Sequence, residues 1–226
     1  MIAVDTPCAA PGLRRLARRR TQDAPGVLGP ALGSRADQDR CDLCAEPLPP
    51  DHRHVLDVPA AEIGCACRAC ALLFDRQSAG GGSHRLLPRH RRRLDGFTLD
   101  DLLWGALGVP VDLAFFVRTS GDGGITARYP SPLGTLHSRV ERRTWAELES
   151  ANPALQGMDD DVEALLVDRT AGARRHWLLP LDDCYRLTAV VRTHWQGLSG
   201  GPDIHPHIDA FFDRLDDTDS TAKERT

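Results

Sequence analysis

Two cysteine pairs with the same short spacing constrain this chain more than any other feature. They read Cys41-Asp42-Leu43-Cys44, then 22 residues, then Cys67-Arg68-Ala69-Cys70. Two residues between cysteines let both thiolates face one ion while the amides of the turn donate to the sulfurs. Two such pairs complete a tetrahedron, the geometry zinc accepts without strain. The expected ligand set is therefore Cys41, Cys44, Cys67 and Cys70. Iron in a rubredoxin-like site is the alternative, because four thiolates serve either metal. Cys65 could take the place of Cys67, but only Cys67 and Cys70 have the knuckle spacing, so Cys65 reads as a buried structural cysteine. His52 and His54 could also reach the ion, and otherwise are strand-edge histidines.

The residues between the pairs give the module a shape. Arg53 to Val58 reads as a strand, Pro59-Ala60-Ala61-Glu62 as a turn, and Ile63 to Ala66 as a second strand. Cys67 and Cys70 then open a helical run through Asp75. A knuckle, a hairpin and a helix bearing the second pair resembles a treble-clef or zinc-ribbon module. A core this small does not hold itself together, and the metal would supply the missing stability, on the order of 10 kcal/mol.

The remaining sequence fits a reducing compartment. There are seven cysteines, five of them between residues 41 and 70, and no secretory signal precedes them. Odd number and tight spacing point to metal ligation rather than disulfides. No apolar run approaches the roughly 18–20 residues needed to span a bilayer, so the expected location is the cytoplasm. The net charge of −4 argues against general affinity for nucleic acid. All the cationic residues but Lys223 are arginine, which reads first as the codon usage of a GC-rich genome.

The expected organisation has five parts. Residues 1–40 form a disordered Arg-rich tail holding Cys8 and the cluster Arg14 to Arg20. Residues 41–76 are the four-cysteine module. Residues 77–96 are a flexible basic linker containing Arg89-His90-Arg91-Arg92-Arg93. Residues 97–215 are an α+β domain, and 216–226 a disordered tail. Within the α+β domain, Phe97 to Leu107 reads as a helix capped by Thr98. Val111 to Thr119 is an apolar strand suited to burial on both faces. It turns through Ser120-Gly121-Asp122-Gly123-Gly124 into Ile125 to Tyr129, which Pro130 and Pro132 end. Thr144-Trp145-Ala146-Glu147 has the capping-box pattern of a helix start. A second hairpin joins Glu163–Asp168 to Arg174–Leu179. Asp182 or Asp183 then caps a helix whose Cys184, Leu187, Val190, Val191 and His194 share one face, and Gly197, Gly200 and Gly201 stop it. A last helix lines up Ile204, Ile208, Phe211, Phe212 and Leu215. Hairpins followed by helices predict an antiparallel sheet covered on one side by helices.

No catalytic pattern stands out. Cys184 lies on an apolar stripe and reads as core rather than nucleophile. His205-Pro206-His207, near Asp203 and Asp209, reads as a helix start rather than a second metal site. His176 and His194 read as packed histidines. Gly121 to Gly124 is a turn and not a phosphate loop, since a strand follows it. Asp159-Asp160-Asp161 is a solvated acidic run.

Over most of residues 41–215 the chain resembles an uncharacterised actinobacterial protein family whose genes are often found beside those of high-affinity nickel–iron hydrogenases. The matching stretches are Cys41 to Cys44, His52-Arg53-His54, Cys65 to Phe74, Val109-Pro110-Val111 with Ala114-Phe115-Phe116, Glu163 to Val167, and Cys184 to Leu187 with Arg192 to Gly201. The family brings no established activity. The resemblance implies an accessory role near a hydrogenase, with a hydrogenase subunit or maturation factor as partner. Taken with the cysteine pattern, the expectation is a non-catalytic zinc-binding interaction protein. The alternatives are iron-based electron transfer and nucleic-acid binding through the zinc module and the two arginine clusters.

Overall fold

The computed structural model describes residues 40–74, 83–131, 134–195 and 204–223. They belong to two compact units that divide between Leu86 and Leu87. Arg14 to Arg20, Cys8, Asp203 and the glycines after Trp195 lie outside the described residues, as do 77–82 of the expected linker.

The smaller unit carries strands β1 (Arg53–Asp57) and β2 (Glu62–Ala66), helix α1 (Arg68–Leu73) and strand β3 (His84–Leu86). The strands form an antiparallel sheet in the order β2-β1-β3. The turn from β1 to β2 is closed by Asp57, whose carboxylate accepts the Ala60 N–H at 3.1 Å. Ala61 completes it in the left-handed region, at φ 52°. Val55, Ala66 and Ala71 are buried together, with Phe74 and Leu86 against them. Phe74 also stacks on His84 across 5.3 Å. So few apolar side chains give this unit little hydrophobic stabilisation of its own.

The larger unit is built on a six-stranded antiparallel sheet in the order β4-β9-β8-β5-β6-β7. The strands are β4 (Arg92–Arg93), β5 (Leu113–Arg118), β6 (Ile125–Ser131), β7 (Gly134–Val140), β8 (Glu163–Asp168) and β9 (Arg175–Pro180). Its helices are α2 (Asp101–Ala106), α3 (Arg142–Ala151), α4 (Leu181–His194) and α5 (Ile204–Lys223). Central strands β5 and β8 are buried along nearly their whole length.

Adjacent residues of β5 show where the helices lie. Phe116 meets Trp104 of α2 and Trp145 of α3, whereas Phe115 meets Tyr185 of α4. Neighbouring strand residues point to opposite faces, so helices cover both sides of the sheet. This corrects the one-sided arrangement expected from element order. The apolar run in β5 carries the reason, since a strand without alternation has two faces to bury.

Several boundaries also differ from expectation. Helix α2 begins after Asp100, whose carboxylate accepts the Leu103 N–H at 2.8 Å. Thr98 is instead clasped by Asn152, which accepts its N–H at 2.7 Å and donates to its carbonyl at 2.8 Å. Helix α3 begins after Glu141, leaving Thr144 buried within it. Helix α4 follows β9 directly at Leu181. Asp183 does not cap it, because Arg91 and Arg186 hold its carboxylate at 2.6 Å and 2.7 Å. Pro130 does not end β6, and β7 is an additional strand that pairs with β6 as far as Ser131. Helix α5 runs through Lys223 rather than stopping at residue 215.

The basic run expected in the linker is built into the larger unit. His90 meets Glu163 at 2.9 Å and Arg91 meets Asp183. Arg92 and Arg93 form β4, and Arg93 pairs with Asp95 and Asp216 at 3.1 Å and 2.8 Å. Among the described residues no helix is long and apolar enough to cross a membrane.

Candidate metal centre

The site begins with a tight turn. Cys41 donates its N–H to the Glu46 carbonyl and accepts the Ala45 N–H at its own carbonyl, both at 2.8 Å. Ala45 sits in the left-handed region, at φ 63°, which folds the chain back so that Arg40 bridges Pro47. A second turn is the start of α1. Cys67 is its N-cap, and its Sγ accepts the Cys70 N–H at 3.4 Å.

Asp42 ties the two turns together. Its N–H donates to the Cys65 carbonyl at 2.8 Å, and its carboxylate accepts the Cys65 N–H at 2.7 Å. Gly64 makes room for this clasp, since a Cβ there would lie 3.1 Å from the Asp42 carboxylate. The first knuckle is thereby fastened to β2 at Cys65, two residues before the second pair begins.

The sulfurs of Cys41, Cys44, Cys67 and Cys70 all lie within 4.8 Å of one another. Cys44 and Cys67 are 3.7 Å apart. Four sulfurs about 2.3 Å from a zinc at the centre of a tetrahedron stand about 3.8 Å apart along each edge. The donor set, its spacing and its convergence therefore fit a tetrahedral metal ion. Cys41 and Cys67 are buried, Cys70 is half-buried and Cys44 is exposed, so the cluster sits at the rim of the unit.

The electrostatics of the cluster favour a cation. Burial pushes the Cys41 thiol up, but backbone N–H groups of Cys67, Leu43 and Cys44 outweigh it and bring the group down to about 7. The Glu46 N–H and Cys70 draw Cys44 down, while the Cys41 and Cys67 sulfurs raise it, and the balance is upward. Cys70 is pushed up to about 12, chiefly by Cys44 and then by burial. Sulfurs this close resist ionising together. A metal ion reverses that resistance by neutralising them all.

The four expected ligands are thus brought together. Cys65 is not among them. It forms a second group with His52 and His54, their ligand atoms also within 4.8 Å of one another. His54 and Cys65 are direct partners across β1 and β2. The hairpin turns at residues 58–61 and so sets those two residues opposite each other, whereas the turn expected at 59–62 would have paired His54 with Cys67. The other candidates do not converge. Cys184 is buried in the core, where burial holds its thiol well above the ordinary range. His207 stacks on His194, whose Nδ1 faces the Val190 carbonyl at 2.9 Å. Asp160 pairs with Arg118, and the Asp161 carboxylate accepts the Ser120 N–H.

No curated protein and no solved structure shows detectable similarity to the chain. A family signature matches residues 40–219, from the residue before Cys41 to within helix α5. On that match the chain belongs to DUF5947, a family of unknown function.

Proposed function

We propose that this chain is a non-catalytic zinc protein whose treble-clef-like module presents an apolar surface to a protein partner. The observation that carries the reading is the convergence of four sulfurs, all within 4.8 Å of one another and two of them 3.7 Å apart, close to the edge of a zinc tetrahedron. A fully ligated thiolate site has no open position for substrate, which makes its role structural. The surface comes from the elements that bear the cysteines. Leu43 on the first knuckle is 41% exposed, and Leu72 and Leu73 on α1 are 68% and 61% exposed. Large apolar side chains left in water next to a rigid metal knot are suited to burial against another protein. The partner implied by the family resemblance is a nickel–iron hydrogenase subunit or a maturation factor.

The test has two parts. Elemental analysis of full-length protein prepared without chelators should give tightly bound zinc, and protein carrying no metal would end the proposal. Tagged full-length protein should then retain a hydrogenase subunit or maturation factor from cells expressing the enzyme. The double variant Leu72→Arg, Leu73→Arg should lose that partner while keeping its zinc. Equal retention by the variant would remove the apolar surface from the account.

One observation favours electron transfer instead. Cys44 is exposed, and a metal reached through an exposed ligand is open to electron exchange. Iron in that position would make the purified protein red, and zinc leaves it colourless.

A further inference from the structure

We propose a second metal site, formed by His52, His54 and Cys65, that binds a borderline divalent ion of the zinc class and leaves one coordination position open. It lies in the same unit as the four-thiolate cluster but uses none of its residues.

The strand geometry assembles it. His54 and Cys65 are opposite one another in the antiparallel pair of β1 and β2, so their side chains share a face. His52 precedes His54 by two residues and lies edge-on to it, with ring centroids 5.0 Å apart. One nitrogen of each ring and the Cys65 sulfur fall within 4.8 Å of one another. Cys65 is buried, and both histidines are half-buried.

The ring of His52 is set for ligation. Its Nδ1 lies 2.9 Å from the Pro49 carbonyl. A carbonyl only accepts, so the proton is on Nδ1 and the lone pair on Nε2. That Nε2 is buried and has no hydrogen-bond partner in the protein. Metal-ligating histidines are typically oriented in this way, with one ring nitrogen donating to a carbonyl and the other facing the ion. Buried acceptors without partners are rare in folded proteins, and an ion at this point supplies the missing partner.

Two imidazoles and one thiolate suit zinc, cobalt or copper rather than magnesium or calcium, which take oxygen. Three protein ligands leave a fourth position for water or a small anion. This separates an open site from the closed four-thiolate one.

Cobalt(II) titration of the full chain, stripped of metal under reducing conditions, tests the proposal. Cobalt reports its ligands through visible bands and sulfur-to-cobalt charge transfer. The wild type should take up two equivalents, the second of which shifts its spectrum when azide or cyanide is added. The variant His52→Ala, His54→Ala should take up one, with no azide response. That retained equivalent shows that the module has folded, and Cys65→Ser should behave in the same way. A wild type that saturates at one equivalent overturns the second site, as does a histidine variant that still binds two. If a single equivalent binds and needs both histidines and the four cysteines, the sulfurs and rings share one ion, and this proposal fails while metal binding stands. If a single equivalent binds without the histidines, the four-thiolate reading stands alone.

Discussion

Asp42 and Cys65 exchange two hydrogen bonds across 23 residues of sequence, backbone to backbone in one direction and backbone to carboxylate in the other. This contact ties the first knuckle to the strand that leads into the second, and so helps set the spacing of the four sulfurs. Such support around a metal site is worth roughly 10–100-fold in affinity when it is removed. Asp42→Ala should weaken metal binding by about that factor, read by competition with a coloured chelator. Asp42→Asn keeps an acceptor at the same point and should lose much less. Equal affinity for wild type and Asp42→Ala would mean that the clasp does not position the ligands.

If the four sulfurs hold zinc as proposed, removing it should affect the two units differently. The smaller unit buries little beyond Val55, Ala66, Ala71 and the cysteines. The larger one has two apolar layers on a six-stranded sheet. Structural zinc contributes on the order of 10 kcal/mol to small modules of this kind. Amide exchange after chelation should therefore show loss of protection over residues 40–73, with β5, β8 and β9 still protected. Protection that persists in β1 and β2 without metal would show that the hairpin is stable by itself.

The sequence carried the hairpin and the helix of the module, because each step is local, but not β3, where His84–Leu86 of the expected flexible linker joins the sheet beside β1. Cysteine spacing, a turn between the two strands (at 58–61, one residue earlier than expected) and Cys67 at a helix start all concern residues within a few positions of one another. The sheet of the larger unit was legible where patterns were strong, as in β5, β8 and the apolar stripes of α4 and α5. It was not legible where tertiary contacts overrode a local signal. Pro130 reads as a strand end, yet beyond Arg128 strand β6 has left β5 and pairs with β7 alone. At such an edge a residue without an N–H is tolerated. Asp183 reads as a cap, but two arginines claim its carboxylate, and one of them, Arg91, is distant in sequence. The His52, His54 and Cys65 group needed the register of a hairpin, which single residues do not announce.

A buried ion pair makes another prediction. Asp168 is fully buried and accepts from the Arg175 guanidinium at 2.7 Å and from the N–H and hydroxyl of Thr170 at 2.9 Å and 2.7 Å. Arg175 also pairs with Asp209 at 2.7 Å and lies over the Phe212 ring. Arg175→Met strands a carboxylate in the interior and should cost roughly 3–5 kcal/mol. Asp168→Asn should cost less, since Arg175 keeps Asp209. Urea denaturation of the two variants reads the difference, and the reverse order would show that Asp168 draws its stability from Thr170 instead.

The last prediction concerns acid. His176 stacks on Phe97 with centroids 4.6 Å apart, and its buried Nε2 has no hydrogen-bond partner. Burial, helped by Arg174 and Arg169, lowers its pKa to about 4, against about 6.5 in an unfolded chain. Between those values the unfolded chain holds the proton and the folded one does not. The stabilising contribution is therefore complete above about pH 6.5 and is lost as pH falls through about 4, a change of at most roughly 3 kcal/mol. His176→Phe keeps the stack on Phe97 and removes the titration. Unfolding free energies measured from pH 7 to 4 should fall less steeply for that variant than for the wild type. Parallel slopes would mean that the imidazole is protonated within the fold, with its ring nitrogens open to water rather than sealed beneath Phe97.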